Sequence, residues 1–209
     1  MEFAYDDVAW IAHDYGLLGI WCLTFVRGLD EPEALRRAGV GERSIRPLRY
    51  EELMDPRLFP PDVVLAGRLD GWTVLIEVFG WAALDALPTL SVGTEAVSVR
   101  RHDDATDRFA YAVDGELVTA FDPMIPAWRS GSDPDRLVNL MRDVGFDPAY
   151  EPEGEDEDEA EENREWEFDQ PTVDGALLLA ARLTGVMLTP DVLNGLLLGG
   201  DVAARRHQA

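Results

Sequence analysis

Apolar and polar residues follow a strand-like pattern over residues 63–122, and this pattern predicts an antiparallel β-sheet. The strand-like runs in this stretch are Val63–Leu69, Trp72–Val78, Ala96–Arg101, Phe109–Val113 and Glu116–Phe121. Two of the links between them are Asp-Gly dipeptides, at residues 70–71 and 114–115. A two-residue Asp-Gly link is a strong hairpin signal, because a type I′ turn needs positive φ at both positions. We therefore expect a β-meander in which Gly71 and Gly115 have positive φ.

Two further stretches complete the predicted fold. The run Leu17–Val26 is continuously apolar, which is typical of a buried strand. Residues 172–198 read as a helix pair, in which Thr172 caps the first helix, Thr189-Pro190 begins the second and Gly199-Gly200 ends it. The sequence thus predicts an α+β fold: an antiparallel β-meander of about five or six strands, with helices packed on it and a C-terminal helix pair.

Charge is distributed unevenly along the chain and divides it into regions. Residues 151–169 contain twelve acidic residues and one arginine, so this segment carries a net charge of −11. Such a segment repels itself and cannot bury a core, which predicts a flexible linker. We expect a core domain over residues 1–150, the acidic linker over 151–169, the helix pair over 170–198 and a frayed tail over 199–209.

The net charge of the 209-residue chain is −23, and this charge limits the partners that it can bind. Phosphate backbones and anionic membranes attract clusters of basic residues, so we expect no direct contact with nucleic acid and none with a membrane. A basic protein is the partner that such a field favours. The N-terminus lacks a basic region, and no apolar run reaches the roughly 20 residues of a membrane span, which predicts a cytoplasmic protein.

Two residues in apolar runs carry polar chemistry. Glu77 interrupts the apolar strand Trp72–Val78 and is a candidate buried carboxylate. A buried carboxylate needs a partner or a raised pKa, so we expect an ion pair with an arginine; a tuned acid or a ligand-binding carboxylate is the alternative. Cys22 is the only cysteine and lies in the apolar run Leu17–Val26, which predicts a buried, inert thiol.

The usual motifs of catalysis and cofactor binding do not occur in this sequence. It has no Gly-rich phosphate loop, no His-Glu-x-x-His helix and no Gly-x-Ser-x-Gly elbow. The loop His102–Asp107 holds one histidine and three aspartates, but it does not have the spacing of an EF-hand. We predict no metal and no cofactor, and no residue is assigned a catalytic role.

Exposed tryptophan and arginine dominate the contacts of many protein interfaces. Trp81 directly follows a glycine, and Trp128 with Arg129 lies where the chain leaves the predicted sheet. These three residues are therefore the predicted partner-binding residues. The sequence does not indicate the oligomeric state.

Several motifs in this chain resemble those of a family common in high-GC Gram-positive bacteria. They are Gly71–Glu77 with Gly80-Trp81, Phe109–Gly115, Thr119–Pro123, Asp133–Leu137 and the segment Leu183–Val186, and together they extend over roughly residues 5–198. That family is a domain of unknown function, so the resemblance implies no activity, cofactor or catalytic residue. The layout also resembles, in architecture only, the small bacterial immunity proteins that neutralise toxins.

These observations favour a non-catalytic interaction protein that binds a protein partner through an acidic surface, in an immunity, antitoxin-like or adaptor role. Two alternatives remain. One is an enzyme that uses Glu77 and nearby arginines in a site on the sheet. The other is a nucleic-acid mimic in which residues 151–169 stand in for a phosphate backbone.

Overall fold

One antiparallel sheet organises the computed structural model, which describes residues 3–12, 17, 19–53, 63–102, 106–151 and 171–203. Within these residues nine strands pair in the order β2-β9-β3-β4-β1-β5-β6-β7-β8. The strands are β1 (Trp21–Arg27), β2 (Arg46–Leu48), β3 (Val63–Leu69), β4 (Trp72–Val78), β5 (Glu95–Arg101), β6 (Arg108–Val113), β7 (Glu116–Asp122), β8 (Ile125–Ser130) and β9 (Leu197–Asp201).

Helices pack on both faces of this sheet. They are α1 (Tyr5–Ala12), α2 (Glu31–Arg37), α3 (Tyr50–Leu53), α4 (Ala82–Asp85), α5 (Leu87–Leu90), α6 (Val138–Asp143), α7 (Val173–Thr184) and α8 (Pro190–Leu193), with a 3₁₀ turn at Glu42–Ser44. In the part of the chain that the structure describes, no helix is long and apolar enough to cross a membrane.

The centre of the sheet is occupied by β1. It pairs antiparallel with β4 on one side and with β5 on the other, so that Leu23 lies opposite both Ile76 and Val99. All three of these side chains are fully buried. The continuous apolar run of β1 follows from this position, because a central strand covered on both faces buries nearly all of its side chains, and in β1 the one exposed residue is Arg27 at its end.

The predicted meander of five or six strands with a C-terminal helix pair is wrong. The insertion of β1 between β4 and β5 separates strands that a meander would pair directly. Three strands that the pattern did not predict, β2, β8 and β9, extend the sheet on both sides. Of these, β2 has only three residues and β8 contains Pro126, so neither has the alternating pattern of a typical strand.

The second predicted helix is also much shorter than expected. Only Pro190–Leu193 is helical, and the chain then enters β9, which lies between β2 and β3. Gly199 and Gly200 had indicated the end of a helix, but both lie within β9. A Cβ built on Gly199 would stand 2.5 Å from the side chain of Leu65, and one on Gly200 would stand 2.7 Å from the side chain of Ser44. These glycines therefore permit close packing of neighbouring chain segments.

Both predicted Asp-Gly hairpins are confirmed. Leu69 pairs with Trp72, and Val113 pairs with Glu116, so each loop has two residues. Gly71 has a φ of 72° and Gly115 a φ of 84°. At residues 114–115 both positions have positive φ, as a type I′ turn requires, whereas in the first hairpin only the glycine does.

The two faces of the sheet differ in the size of their side chains. One face carries large residues such as Leu23, Ile76 and Phe109, and the buried residues of α7 complete its core. The other face carries many small residues, among them Ala66, Ala96, Ala110 and Ala120, and its core includes buried residues of α2 and α5. Small side chains allow short helices to approach that face closely.

The predicted division into domains stays a prediction, because nearly all of the acidic segment 151–169 lies outside the described residues. The described chain stops at Glu151, the first residue of this segment, and resumes at Pro171. From there, α7 packs on the sheet and β9 forms part of it.

Candidate functional site

Glu77 is buried, with 1% of its surface exposed, near the end of β4. Its carboxylate accepts hydrogen bonds from the backbone amides of Ala82, at 2.6 Å, and Ala83, at 3.0 Å. These are the first amides of α4, which have no partner within the helix. Glu77 thus holds α4 against the end of the sheet. The predicted ion pair between Glu77 and an arginine stays a prediction.

The residue beside Glu77 on the neighbouring strand is Cys22. Cys22 lies opposite Glu77 in β4 and opposite Arg100 in β5, so the three residues form one row across the sheet. The thiol lies 3.3 Å from the Ser98 hydroxyl, and that hydroxyl lies 2.8 Å from the hydroxyl of Thr24. Burial raises the pKa of the Cys22 thiol to about 12, and the charge of Glu77 adds to the rise. A thiol with this pKa is protonated at neutral pH and is a weak nucleophile.

Trp81 lies directly before α4 and is 37% exposed. The guanidinium carbon of Arg100 lies 5.3 Å from the centroid of the Trp81 ring, and the ring of His102 meets Trp81 edge-on at 5.7 Å. Both contacts are within the chain, so part of the Trp81 ring surface is covered by Arg100 and His102 and is not available to a partner. The nearby Phe79 is 38% exposed and has a φ of 59°, a backbone conformation that is strained for a phenylalanine.

Two further carboxylates lie at the same end of the sheet: Asp107, in the loop that sequence reasoning considered as a metal site and rejected, and Asp122, which it did not single out. Asp107 accepts a hydrogen bond of 2.9 Å from the backbone amide of His102, and Asp122 accepts one of 2.9 Å from that of Met124. Burial raises the pKa of both carboxyl groups. The described residues contain no group of three or more histidines, cysteines or carboxylates that could hold a metal ion.

Trp128 lies in β8, which is an edge strand of the sheet. It is 66% exposed, more than any other aromatic side chain that the structure describes. The printed pairs of β8 with β7 are Ile125 with Asp122 and Ser130 with Ala120, and Trp128 lies in the register shift between them. An exposed indole ring exchanges water contacts for partner contacts at little entropic cost, because it has few rotatable bonds.

Arg129, the neighbour of Trp128, is mostly buried, with 14% of its side chain exposed. Its Nε and Nη2 atoms donate to the same oxygen of Asp135, at 3.1 Å and 2.8 Å. Its Nη1 atom donates to the carbonyl oxygens of Pro126 and Pro148. All three nitrogens of this guanidinium are therefore engaged within the chain, and Arg129 fixes the segment around Pro148 to β8.

The outer side of β8 is partly covered by this same segment. The backbone amide of Ala127 donates to the carbonyl oxygen of Tyr150 at 3.3 Å. Pro126 has no N–H to offer to a further strand. The acidic segment 151–169, which has a net charge of −11, begins directly after Tyr150 in the sequence.

The structure brings two of the predicted site residues together and separates them from the other two. Glu77 and Trp81 both lie at the start of α4, at one end of the sheet: Trp81 directly precedes the helix, and Glu77 accepts its first amide. Trp128 and Arg129 lie in the edge strand β8. These residues were predicted from their amino-acid types. Their exposure, however, depends on contacts that form only in the folded chain.

The first comparison with known proteins identifies a family. Residues 1–196 match the model of a family of unknown function, DUF6461. The chain belongs to this family, and its resemblance to a family without known function is thereby confirmed. The distribution of the family among bacteria and the likeness to immunity proteins stay predictions.

The other two comparisons give no relative. No curated protein is significantly similar to the chain. No solved structure is significantly similar to it.

Proposed function

We propose that this protein is a non-catalytic interaction protein that binds a basic protein partner at the edge strand β8, in an immunity, antitoxin-like or adaptor role in the cytoplasm. The observation that carries the proposal is the exposure of Trp128, 66% of whose surface is open on a strand of a nine-stranded sheet. Tryptophan contributes strongly to binding at the centre of protein interfaces.

The charge of the chain supports a basic partner. The net charge is −23, and residues 151–169 account for −11 of it. This segment starts next to Tyr150, whose carbonyl oxygen is bonded to the strand that carries Trp128. A strong negative field at a docking surface accelerates encounter with a positively charged protein.

The position of Glu77 supports a non-catalytic role over the enzyme alternative. A general acid or base must reach the substrate within hydrogen-bonding distance. Glu77 is 1% exposed, and its two carboxylate oxygens accept amides of α4. A substrate could reach this carboxylate only if α4 moved away from the sheet.

Co-purification from the native host tests this proposal when it compares matched variants. The wild-type chain, Trp128→Ala and Leu196→Ala are expressed with the same tag, and bound proteins are quantified after chemical cross-linking. Leu196 is a suitable control because it is 67% exposed and lies just before β9, away from β8. We expect one stoichiometric basic protein, cross-linked near β8, that is retained by Leu196→Ala and lost by Trp128→Ala.

Two results would contradict the proposal. One is a partner that both variants retain equally, with cross-links away from β8. The other is a bound metabolite that the chain converts and that Glu77→Gln no longer turns over, which would favour the enzyme alternative.

A further inference from the structure

We propose that the partner places an arginine or lysine side chain on the face of the Trp128 indole and docks through side chains, without adding a strand to the sheet. This inference rests on the proposed function, because it names the chemistry of the partner at the same surface. It is carried by the state of three neighbouring groups: the open indole of Trp128, the engaged guanidinium of Arg129 and the partly covered backbone of β8.

The first step concerns what the surface offers to a partner. Arg129 cannot act as the anchor without losing its bonds, since Nε, Nη1 and Nη2 all donate within the chain. Trp128 has the exposed ring at this edge. The group available for contact is therefore an aromatic face, which binds apolar groups and cations.

The second step concerns charge, which separates cations from other groups. Asp135 is 72% exposed, and only one of its two carboxylate oxygens accepts the bonds from Arg129. The segment that begins at Glu151 adds a net charge of −11. This field repels a partner's carboxylates and attracts its ammonium or guanidinium groups. Tryptophan is also the side chain that attracts a cation most strongly through its ring.

The third step concerns the mode of docking. An added strand needs free N–H and C=O groups along an edge. In β8 the amide of Ala127 is bonded to Tyr150, and Pro126 has no N–H. The side chain of Arg129 also ties Pro148 against this strand. Strand addition would have to displace these bonds, whereas contact with the indole needs no such change.

The experiment uses the full chain and peptide probes of defined composition. The probes are octapeptides in which glycine alternates with arginine, serine or glutamate. Binding is followed through the indole N–H resonance of Trp128, which is assigned by its absence in Trp128→Phe. We expect the arginine peptide to shift this resonance and the serine and glutamate peptides to leave it in place.

The decisive variant is Trp128→Leu, which keeps an apolar side chain but removes the aromatic face. The cation–ring contribution at an exposed site corresponds to about a two- to fivefold change in affinity. We therefore expect the arginine peptide to bind Trp128→Leu about two- to fivefold more weakly, with no change in the control Leu196→Ala. Circular dichroism checks that each variant is folded.

Three outcomes would overturn the inference. They are equal affinity of the arginine peptide for Trp128→Leu and the wild type, a shift of the Trp128 resonance by the serine peptide of the same size, and concentration-dependent self-association that Trp128→Leu abolishes.

With the native partner, the proposed docking site and the proposed cation contact fail in different ways. Loss of binding in Trp128→Ala but not in Trp128→Leu would refute only the cation contact, whereas retention in Trp128→Ala would refute the docking site itself.

Discussion

The carboxylate of Glu77 accepts a hydrogen bond of 2.6 Å from the backbone amide of Ala82. A second bond, of 3.0 Å, comes from Ala83. Glu77 belongs to β4 and the two alanines to α4, so one buried side chain joins the sheet to the helix that follows it. A negative charge at this position also interacts favourably with the free amides at the start of the helix.

Replacement of Glu77 by glutamine tests this structural role. Glutamine keeps one oxygen acceptor, but its NH₂ group would face a backbone N–H, leaving a buried donor without a partner. We expect Glu77→Gln to lower the free energy of unfolding by about 1–3 kcal/mol. Urea denaturation measures this change, and Glu116→Gln is the control because Glu116 is exposed. An unchanged urea midpoint for Glu77→Gln would refute the structural role.

The turn at Gly71 gives a second stability prediction. Its φ of 72° is strained for any residue with a Cβ, although a Cβ would meet no atom within 4 Å. Gly71→Ala should therefore cost about 1 kcal/mol or more through the backbone alone. Gly19→Ala is a matched control, since a Cβ on Gly19 also has open space and Gly19 does not have a positive φ. Equal melting temperatures for the two variants would contradict this account.

The thiol of Cys22 predicts a specific dependence on pH. Its pKa is raised from 9.0 to about 12, first by burial and then by the charge of Glu77. The folded chain therefore holds this proton more tightly than the unfolded chain does. The protonated thiol therefore contributes to the free energy of unfolding in full up to about pH 9. This contribution is lost as the pH rises towards 12.

Two measurements check the Cys22 prediction. The wild type should lose more stability between pH 9 and 11 than Cys22→Ala does, because only the wild type must keep a neutral thiol buried. At pH 8 the folded wild type should react with a thiol reagent far more slowly than the protein in urea. A reaction of the folded protein at the rate of an exposed thiol would show that Cys22 is accessible.

The acidic segment should not stabilise the fold. Its net charge of −11 over residues 151–169 repels itself and the rest of an acidic chain. Replacement of residues 153–164 by a Gly-Ser linker should therefore leave the melting temperature nearly unchanged or raise it. A clear fall in the melting temperature, measured by calorimetry, would mean that the segment contributes to the folded state.

Local patterns in the sequence predicted the hairpins and the central strand, because each depends on nearby residues. The link Asp114-Gly115 specifies its turn by backbone preference. The continuous apolar run of β1 reflects burial on both faces. By contrast, the strand β9 depends on close packing against Leu65 and Ser44, which are distant in sequence. Because these contacts are not visible in the local sequence, Gly199 and Gly200 were interpreted as the end of a helix.

The candidate site shows the same division between local and distant causes. The sequence indicated that Glu77 is a candidate buried carboxylate, since it interrupts an apolar strand, and in the structure 1% of its surface is exposed. It could not distinguish the exposure of Trp81 from that of Trp128, because the difference depends on contacts such as that of Trp81 with Arg100. Nor could it show that Arg129 is engaged by Asp135 and by the carbonyl groups of Pro126 and Pro148.

Association and dissociation rates with the purified basic partner test the central claim most directly. The account predicts that Trp128→Ala mainly speeds dissociation, because the indole holds the complex. Replacement of residues 153–164 by a Gly-Ser linker should mainly slow association, and only at low salt, since the Debye length falls to about 8 Å at 0.15 M. Rates for both variants equal to those of the wild type at low salt would contradict the claim that this acidic chain docks a basic protein at β8.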